Sequence, residues 1–152
     1  MSSGVDVDVF HLLSNSYSRL IGESLVPAGL TGVEGATWLY ETAPFALLAH
    51  GTQADPVFMY GNRRAQTIFG YDWSEITALP SRLSAGFSER SEREAFLDKV
   101  KSDGFARGYR GVRVTKSGKR FWIEDAVVWQ LIDDSGACRG QAAMIHQTTP
   151  ID

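Results

Sequence analysis

Cysteine, net positive charge and long apolar runs are scarce in this chain of 152 residues, and each absence excludes a class of protein. The single cysteine, Cys138, excludes an internal disulfide and is typical of a reducing compartment. A formal charge of −3 provides no positive field for attracting DNA or RNA. No apolar run is long enough to span a bilayer, and the N-terminus lacks the basic start and apolar stretch of a signal peptide. We therefore expect a cytoplasmic protein with no direct contact to nucleic acid or membrane.

Sequence motifs for catalysis and metal binding are also missing. There is no Gly-x-Ser-x-Gly, no phosphate loop and no dinucleotide fingerprint. His11, His50 and His146 are isolated, and no pair of His or Cys has the spacing of metal ligands. The sequence therefore predicts no metal site and no enzyme activity.

What the chain does contain is enough apolar residue, 43%, for the core of one domain. Residues 5–21 form an amphipathic pattern in which Phe10, Leu13, Tyr17 and Leu20 share one helix face. The stretch 22–35 is rich in glycine and is predicted to be a loop. We therefore divide the chain into an N-terminal helix and linker over 1–35 and a main domain over 36–149.

The main domain shows a fixed order of strand and helix patterns. Asn62 is placed to cap one helix and Gly70 to end it. Two turn sequences, 116–119 and 133–136, separate the last three strands. The predicted elements are a helix over 36–41, strands over 45–49 and 57–60, helices over 63–69, 72–79 and 88–102, and strands over 109–115, 121–131 and 140–147.

Alternation along 121–131 predicts which face of that strand is buried. The odd positions are apolar except for Asp125, whereas the even positions are mixed but include Trp122 and Val128. A face exposed to water does not normally carry Trp and Val, so we expect the first helix to cover it, in the same protomer or across a dimer. The predicted homodimer interface consists of Phe10, Leu13, Tyr17, Leu20, Trp122 and Val128.

The element order, strand-strand-helices-strand-strand-strand, is that of PAS domains, and Val57–Asn62, Ile68–Glu75 and Asp133–Gly136 resemble PAS segments. The closer resemblance is to the MEKHLA family of PAS-like domains. It implies an α+β fold in which a five-stranded antiparallel sheet carries helices on one face beside the N-terminal amphipathic helix. The blocks that resemble MEKHLA are Ala43–Gly51, Asp55-Pro56, Tyr60–Asn62, Leu79–Arg82, Gly104-Phe105, Tyr109–Arg113, Gly118–Phe121, Val128-Trp129 and Gly140–Ala143.

PAS domains hold ligands between the inner face of the sheet and the middle helices, so the resemblance implies a pocket there. The same side chains can also simply fill the core, and Asn62 can act as a helix cap rather than in ligand recognition. A buried Asp125 would need a cation such as Arg82 or Arg113. The candidate pocket residues are Leu47, Tyr60, Asn62, Ile68, Phe69, Trp73, Arg82, Ile123, Asp125, Val127, Trp129, Ala143 and Ile145.

The resemblance also bears on cofactors. Flavin photoreceptors of PAS type carry a reactive cysteine in a middle helix, but Asn62-Arg63-Arg64 has none, so cysteinyl-flavin photochemistry is not expected. Haem often takes an axial histidine, and no histidine lies between His50 and His146, so haem is not expected either. A non-covalent flavin or a small metabolite stays open.

Function is predicted as a sensory or protein-interaction module in signalling, without catalysis, whose output passes through a protein partner or self-association. A second hypothesis, based on the same predicted pocket, is that the protein is a receptor for a small molecule. The alternative is a conical α+β-fold enzyme, of isomerase or dehydratase type, that acts on a small apolar substrate through a pair formed by His50 and Asp125.

Overall fold

A single antiparallel sheet organises the computed structural model, which describes residues 4–84 and 90–151, without side chains over 90–94. The strand order is β2-β1-β5-β4-β3, and β6 pairs with β4. This confirms the α+β class and the predicted principal strands; the predicted start of the charged helix at 88–89 lies outside the described residues. The elements are α1 (Val7–Ile21), α2 (Gly32–Thr37), a π-helical turn (Trp38–Thr42), β1 (Ala46–His50), β2 (Phe58–Gly61), α3 (Arg63–Phe69), α4 (Trp73–Ile76), a 3-10 helix (Ser81–Ser84), α5 (Arg90–Asp103), β3 (Phe105–Val114), β4 (Arg120–Ile132), β5 (Cys138–Ile145) and β6 (Gln147–Pro150).

Helix boundaries follow the capping residues. The Asp6 carboxylate accepts hydrogen bonds from the first-turn amides of α1, and Gly22 closes the helix with a left-handed φ of 84°. Asn62 and Gly70 bound α3 in the same way, as the sequence predicts. The predicted helix over 36–41 begins earlier, inside the predicted loop, so the boundary drawn after residue 35 falls within α2.

The turn between β4 and β5 is fixed by one carboxylate. Asp133 accepts hydrogen bonds from the hydroxyl of Ser135 at 2.6 Å, from Nε of Arg139 at 2.6 Å and from the amide of Ala137 at 3.0 Å. These bonds hold the pKa of Asp133 far below its usual range. The predicted turn sequence is thereby confirmed.

Strand β4 changes partners and faces halfway along its 13 residues. Its C-terminal half pairs with β5, and its N-terminal half pairs with β6. Between the halves Asp125 has a φ of 52°, in the left-handed region, and the register with β3 shifts beside it. This is a β-bulge, which moves the alternation of side chains by one residue.

Because of the bulge, the faces of β4 differ from those that the sequence predicts. Phe121 and Ile123 lie on the inner face, under α3 to α5, whereas Val127 and Trp129 lie on the outer face, under α1. The prediction that odd positions share one face is therefore wrong. Asp125 is exposed, so the prediction of a buried carboxylate is also wrong.

Val128 is likewise not on the outer face. It is buried on the inner face, in a small cluster with Val100 and Ala106. The predicted pairing of Val128 with Trp122 on one outer surface is therefore wrong, because the bulge lies between them.

Helix α1 covers the outer face of its own protomer. The Ser16 hydroxyl lies 3.2 Å from the Ile132 carbonyl and 2.9 Å from the Ile132 amide, bonding to both. The Tyr17 ring meets the Trp129 indole edge-on at 4.8 Å. Phe10, Leu13 and Tyr17 are buried in this contact. They are therefore not available to a second protomer while α1 packs on its own sheet.

Deleting residues 1–22 is expected to destabilise the protein rather than only change its association state. The deletion exposes Trp129, Leu131 and Leu47, and fully burying a large apolar side chain contributes about 1.5–3 kcal/mol. We expect a melting temperature at least ~10 °C lower by circular dichroism, with aggregation in size-exclusion chromatography. Deletion of residues 1–3 alone is the control, and an unchanged melting temperature of the longer deletion would contradict the packing of α1.

Candidate ligand cavity

A cavity of about 90 Å³ lies on the inner face of the sheet, below the 3-10 helix and α5. Pockets for drug-sized ligands measure about 300–1,000 Å³, and one water needs only about 10–15 Å³. The described space therefore suits a ligand of a few heavy atoms. Its apolar lining comes from Leu48, Phe58, Phe96, Leu97, Ile123, Val128, Ala142, Ala143 and Ile145, and its polar lining from His50, Ser81, Ser84, Tyr109, Arg113 and Gln141.

One wall is built by alternate residues of β3. Tyr109, Gly111 and Arg113 share a face because side chains in a strand alternate. The Tyr109 ring lies 4.5 Å from the ring of Phe96, and the Arg113 guanidinium lies 5.5 Å from the Tyr109 ring. A Cβ at Gly111 would lie 2.5 Å from the Tyr109 hydroxyl, so glycine is what lets the tyrosine lie across the strand.

The opposite end is lined by His50 and Gln141, which are register partners on β1 and β5. The His50 Nδ1 lies 3.0 Å from the Gly51 carbonyl. Because a carbonyl only accepts, Nδ1 carries a proton in this contact. This end of the cavity therefore carries an imidazole and a side-chain amide as hydrogen-bonding groups.

The 3-10 helix is fixed to the sheet edge. The Ser81 amide donates to the Pro56 carbonyl at 2.8 Å, and the Phe58 amide donates to the Leu79 carbonyl at 3.0 Å. The Ser84 hydroxyl donates to the Ser81 carbonyl at 2.8 Å. The 3-10 helix, which covers this part of the cavity, is therefore held in place by the start of β2 and the residues just before it.

The structure distributes the predicted pocket residues over several places. Ile123, Ala143 and Ile145 line the cavity, and Ile68 and Phe69 belong to the inner-face core beside it. Leu47, Tyr60, Val127 and Trp129 are buried on the outer face, where Trp73 also packs. Arg82 is exposed and pairs with Asp55 at 3.1 Å. Asp125 is exposed as well.

Asn62 is fully buried, and all its hydrogen-bonding capacity is used by the protein. Its Oδ1 accepts from the amides of Leu47 and Ala65, both at 3.0 Å. Its Nδ2 donates to the carbonyls of Leu39 at 3.1 Å and Phe45 at 3.0 Å. The side chain thus joins the π-helical turn, β1 and α3, and it has no donor left for a ligand.

The His–Asp pair of the enzyme alternative is not assembled. His50 on β1 pairs with Gln141 on β5, and Gln141 pairs in turn with Gln130 on β4. Gln130 is five positions along β4 from Asp125. At about 3.4 Å per residue, the two lie roughly 17 Å apart along the strand direction. The described residues also contain no group of His, Cys, Asp or Glu that could hold a metal.

Sequence reasoning missed part of the polar lining. Gln141 was absent from the predicted pocket although it shares the parity of Ala143 and Ile145 on β5. Tyr109 and Arg113 follow the same rule on β3. The signal that could have found them is this two-residue periodicity, applied to every strand of the sheet.

In the part of the chain that the structure describes, no helix has the length and apolar character needed to cross a bilayer.

Comparison with known proteins gives one family and one fold. The model of the MEKHLA domain matches residues 7–150. A PAS domain from Colwellia psychrerythraea superposes with a TM-score of 0.57 at 16% identity, over 74% of this chain and 90% of that one. The LOV domain of a blue-light-activated histidine kinase from Erythrobacter litoralis also gives 0.57, at 19% identity, over 72% and 97%.

A third solved structure, a light-oxygen-voltage domain described with a flavin analogue, gives a TM-score of 0.57 at 16% identity over 70% of this chain and 77% of that one. At these identities the likeness shows the fold alone. No curated protein matches the sequence.

Proposed function

The chain belongs to the MEKHLA domain family, and we propose that it is a PAS-like sensory module which binds a small ligand in the inner-face cavity and has no catalysis of its own. The observation that supports this most is the cavity itself, an apolar space with a few convergent polar groups, which is the usual composition of a ligand site. The separation of His50 from Asp125 speaks against the conical-fold enzyme.

The position of α5 suggests how a structural change caused by ligand binding would be transmitted from the cavity to the rest of the domain. Phe96 and Leu97 of α5 line the cavity, and Gly104, whose φ is 88°, directly follows the last residue of α5. A Cβ at Gly104 would lie 2.7 Å from Cδ2 of Leu20, so the end of α5 sits against α1. A ligand that moves α5 would therefore press on α1, which lies on the other face of the sheet.

We further propose that the output passes through a protein partner or a second copy that reads the position of α1. Because Phe10, Leu13 and Tyr17 are buried in their own protomer, the contact would use the exposed side of α1 rather than the predicted apolar stripe. Hydrogen exchange along α1, with and without a ligand that raises the melting temperature, tests this route. Unchanged exchange in α1 would contradict it.

Filling the cavity is expected to abolish ligand binding without loss of the fold. Ala143 lines the cavity and is half-buried, so Ala143→Leu places three extra carbons in it. A fragment library screened by thermal shift should give compounds that stabilise the natural protein by about 2.7 kcal/mol at 100 times Kd, roughly 5–10 °C. We expect these shifts to disappear in Ala143→Leu.

Ala78→Leu is the matched control, because Ala78 is exposed and does not line the cavity. It should keep every shift seen with the natural protein. A library in which nothing binds, or compounds that bind Ala143→Leu as well as they bind the natural protein, would sink the proposal.

A further inference from the structure

An open groove of about 580 Å³ lies beside α1, between that helix, β2 and the turn that joins β4 to β5. Its floor is apolar and half-buried, formed by Leu12, Met59 and Ile132. Two exposed carboxylates, Asp8 and Asp134, lie on its rim. No described residue lines both this groove and the inner-face cavity, so the groove is a separate site.

Hydrogen bonds within the chain hold the walls of the groove in place. The Ser16 hydroxyl accepts from the Ile132 amide at 2.9 Å, which ties α1 to the end of β4. The Asp133 carboxylate accepts from Nε of Arg139 at 2.6 Å, which ties the turn to the start of β5. The walls are therefore preorganised, and this reduces the entropy cost of binding a partner.

The charge of the groove is negative. Among the described lining residues the one permanent cation is Arg139, and it is already paired with Asp133. Asp8 and Asp134 make no ion pair with any residue that the structure describes. An approaching positive group is therefore attracted to the rim, and a negative group is repelled.

We propose that this groove is the docking surface for a basic segment of a partner protein. The segment places one large apolar side chain on the apolar floor and Lys or Arg beside the two free carboxylates. The inference rests on the function proposed above and names the class of partner that contacts α1. The floor supplies buried area, and the carboxylates select the sign of the partner's charge.

The open shape of the groove favours a chain segment over a small molecule. Small-molecule sites bury about 70–90% or more of the ligand surface. Here Asp8, His11 and Asn15 are exposed along one face of α1, so the groove stays open along the helix. A protein segment continues past the groove and gains contacts along this face. Nucleic acid and an anionic lipid surface carry the wrong sign of charge.

A peptide selection on the full chain tests this inference. The probe is a phage-displayed library of random peptides about 12 residues long, and the enriched peptides are then synthesised and measured by fluorescence anisotropy. We expect them to combine several Lys or Arg residues with one large apolar residue. Replacing that apolar residue with alanine should weaken binding at least about tenfold. Affinity should also fall several-fold as the salt concentration rises, because exposed charges are screened.

Charge-removing variants then assign binding to the groove. Asp8→Asn combined with Asp134→Asn should weaken the selected peptides at least about threefold, because one exposed ion pair contributes up to about fivefold in affinity. Glu34→Gln combined with Asp98→Asn is the matched control, since it removes two exposed carboxylates outside the groove and gives the same net charge. The control should keep the affinity within about twofold of the natural protein.

The outcomes separate this inference from the function on which it rests. A library that enriches no peptide, enriched peptides without basic residues, or equal binding to both double variants would overturn the docking surface. Oligolysine or spermidine binding as tightly as the selected peptides would also overturn it, because charge alone would then be recognised. In each of these cases, compounds whose thermal shifts disappear in Ala143→Leu would leave the inner-face cavity standing. Groove-dependent peptides without any cavity compound would instead overturn the ligand-sensing role and keep the groove.

Discussion

Replacing Asn62 with alanine should lower the melting temperature by roughly 10 °C or more. The substitution removes a helix cap and leaves two buried amides and two buried carbonyls without their partner. Each unsatisfied buried group costs about 1–3 kcal/mol before relaxation, so a net loss of about 3–5 kcal/mol is expected. For a domain of this size, 1 kcal/mol corresponds to roughly 2–4 °C, and thermal denaturation followed by circular dichroism measures it.

The matched control for Asn62 is Asp72→Ala, which removes the exposed cap of α4. Asp72 accepts from the Glu75 amide at 2.8 Å, but it joins no other element of the core. Its substitution should shift the melting temperature far less than Asn62→Ala. Equal shifts would mean that Asn62 is only a cap and that its bonds to the carbonyls of Leu39 and Phe45 contribute little.

Trp129→Ala is the second substitution with a large expected effect. Trp129 is fully buried on the outer face, where α1 packs. Truncation of a buried Trp to Ala typically costs about 3–5 kcal/mol, because transfer energy is lost and a cavity is left. We expect a fall of roughly 10 °C or more, together with faster hydrogen exchange in α1.

Trp122→Ala separates the role of Trp129 from the general effect of losing a tryptophan. Trp122 lies on β4 before the bulge, is half-buried, and has the Arg110 guanidinium 3.8 Å from its ring. We expect a smaller loss, about 1 kcal/mol, and unchanged exchange in α1. If both variants lost the same stability and both sped exchange in α1, the assignment of Trp129, rather than Trp122, to the contact with α1 would be incorrect.

Much of the fold could be predicted from local chemistry. Asn62 and Gly70 set both ends of α3, and the Asp133–Gly136 turn set the end of β4, because capping and turn residues act within a few positions of themselves. The helical spacing of Phe10, Leu13 and Tyr17, three and then four residues apart, predicted the buried stripe of α1 correctly.

The bulge could not be predicted in the same way. Asp125 is a non-glycine residue with a positive φ, and nothing adjacent in the chain demands that conformation. It depends on the pairing of β4 with β3 on one side and with β5 and β6 on the other. The apolar odd positions of 121–131 therefore predicted one continuous face where the structure has two.

Strand β6 and the cavity were missed for related reasons. Gln147–Pro150 is short and polar, and it forms a strand because β4 extends beyond β5 and offers unpaired backbone groups. The cavity depends on where α5 rests against β3, which is a tertiary contact. Its polar lining was within reach of the strand periodicity at Tyr109, Arg113 and Gln141.

The irregularity at Asp125 also constrains how this architecture tolerates changes in chain length. Deleting Asp125 would exchange the two faces of β4 between the bulge and the β3–β4 turn. Phe121 and Ile123 would then point toward solvent, and Trp122 would point toward the core. Insertions and deletions within the two strands are therefore tolerable only in multiples of two residues. At the turn around Ser117-Gly118 this limit does not apply, because those residues do not alternate between the two faces of the sheet.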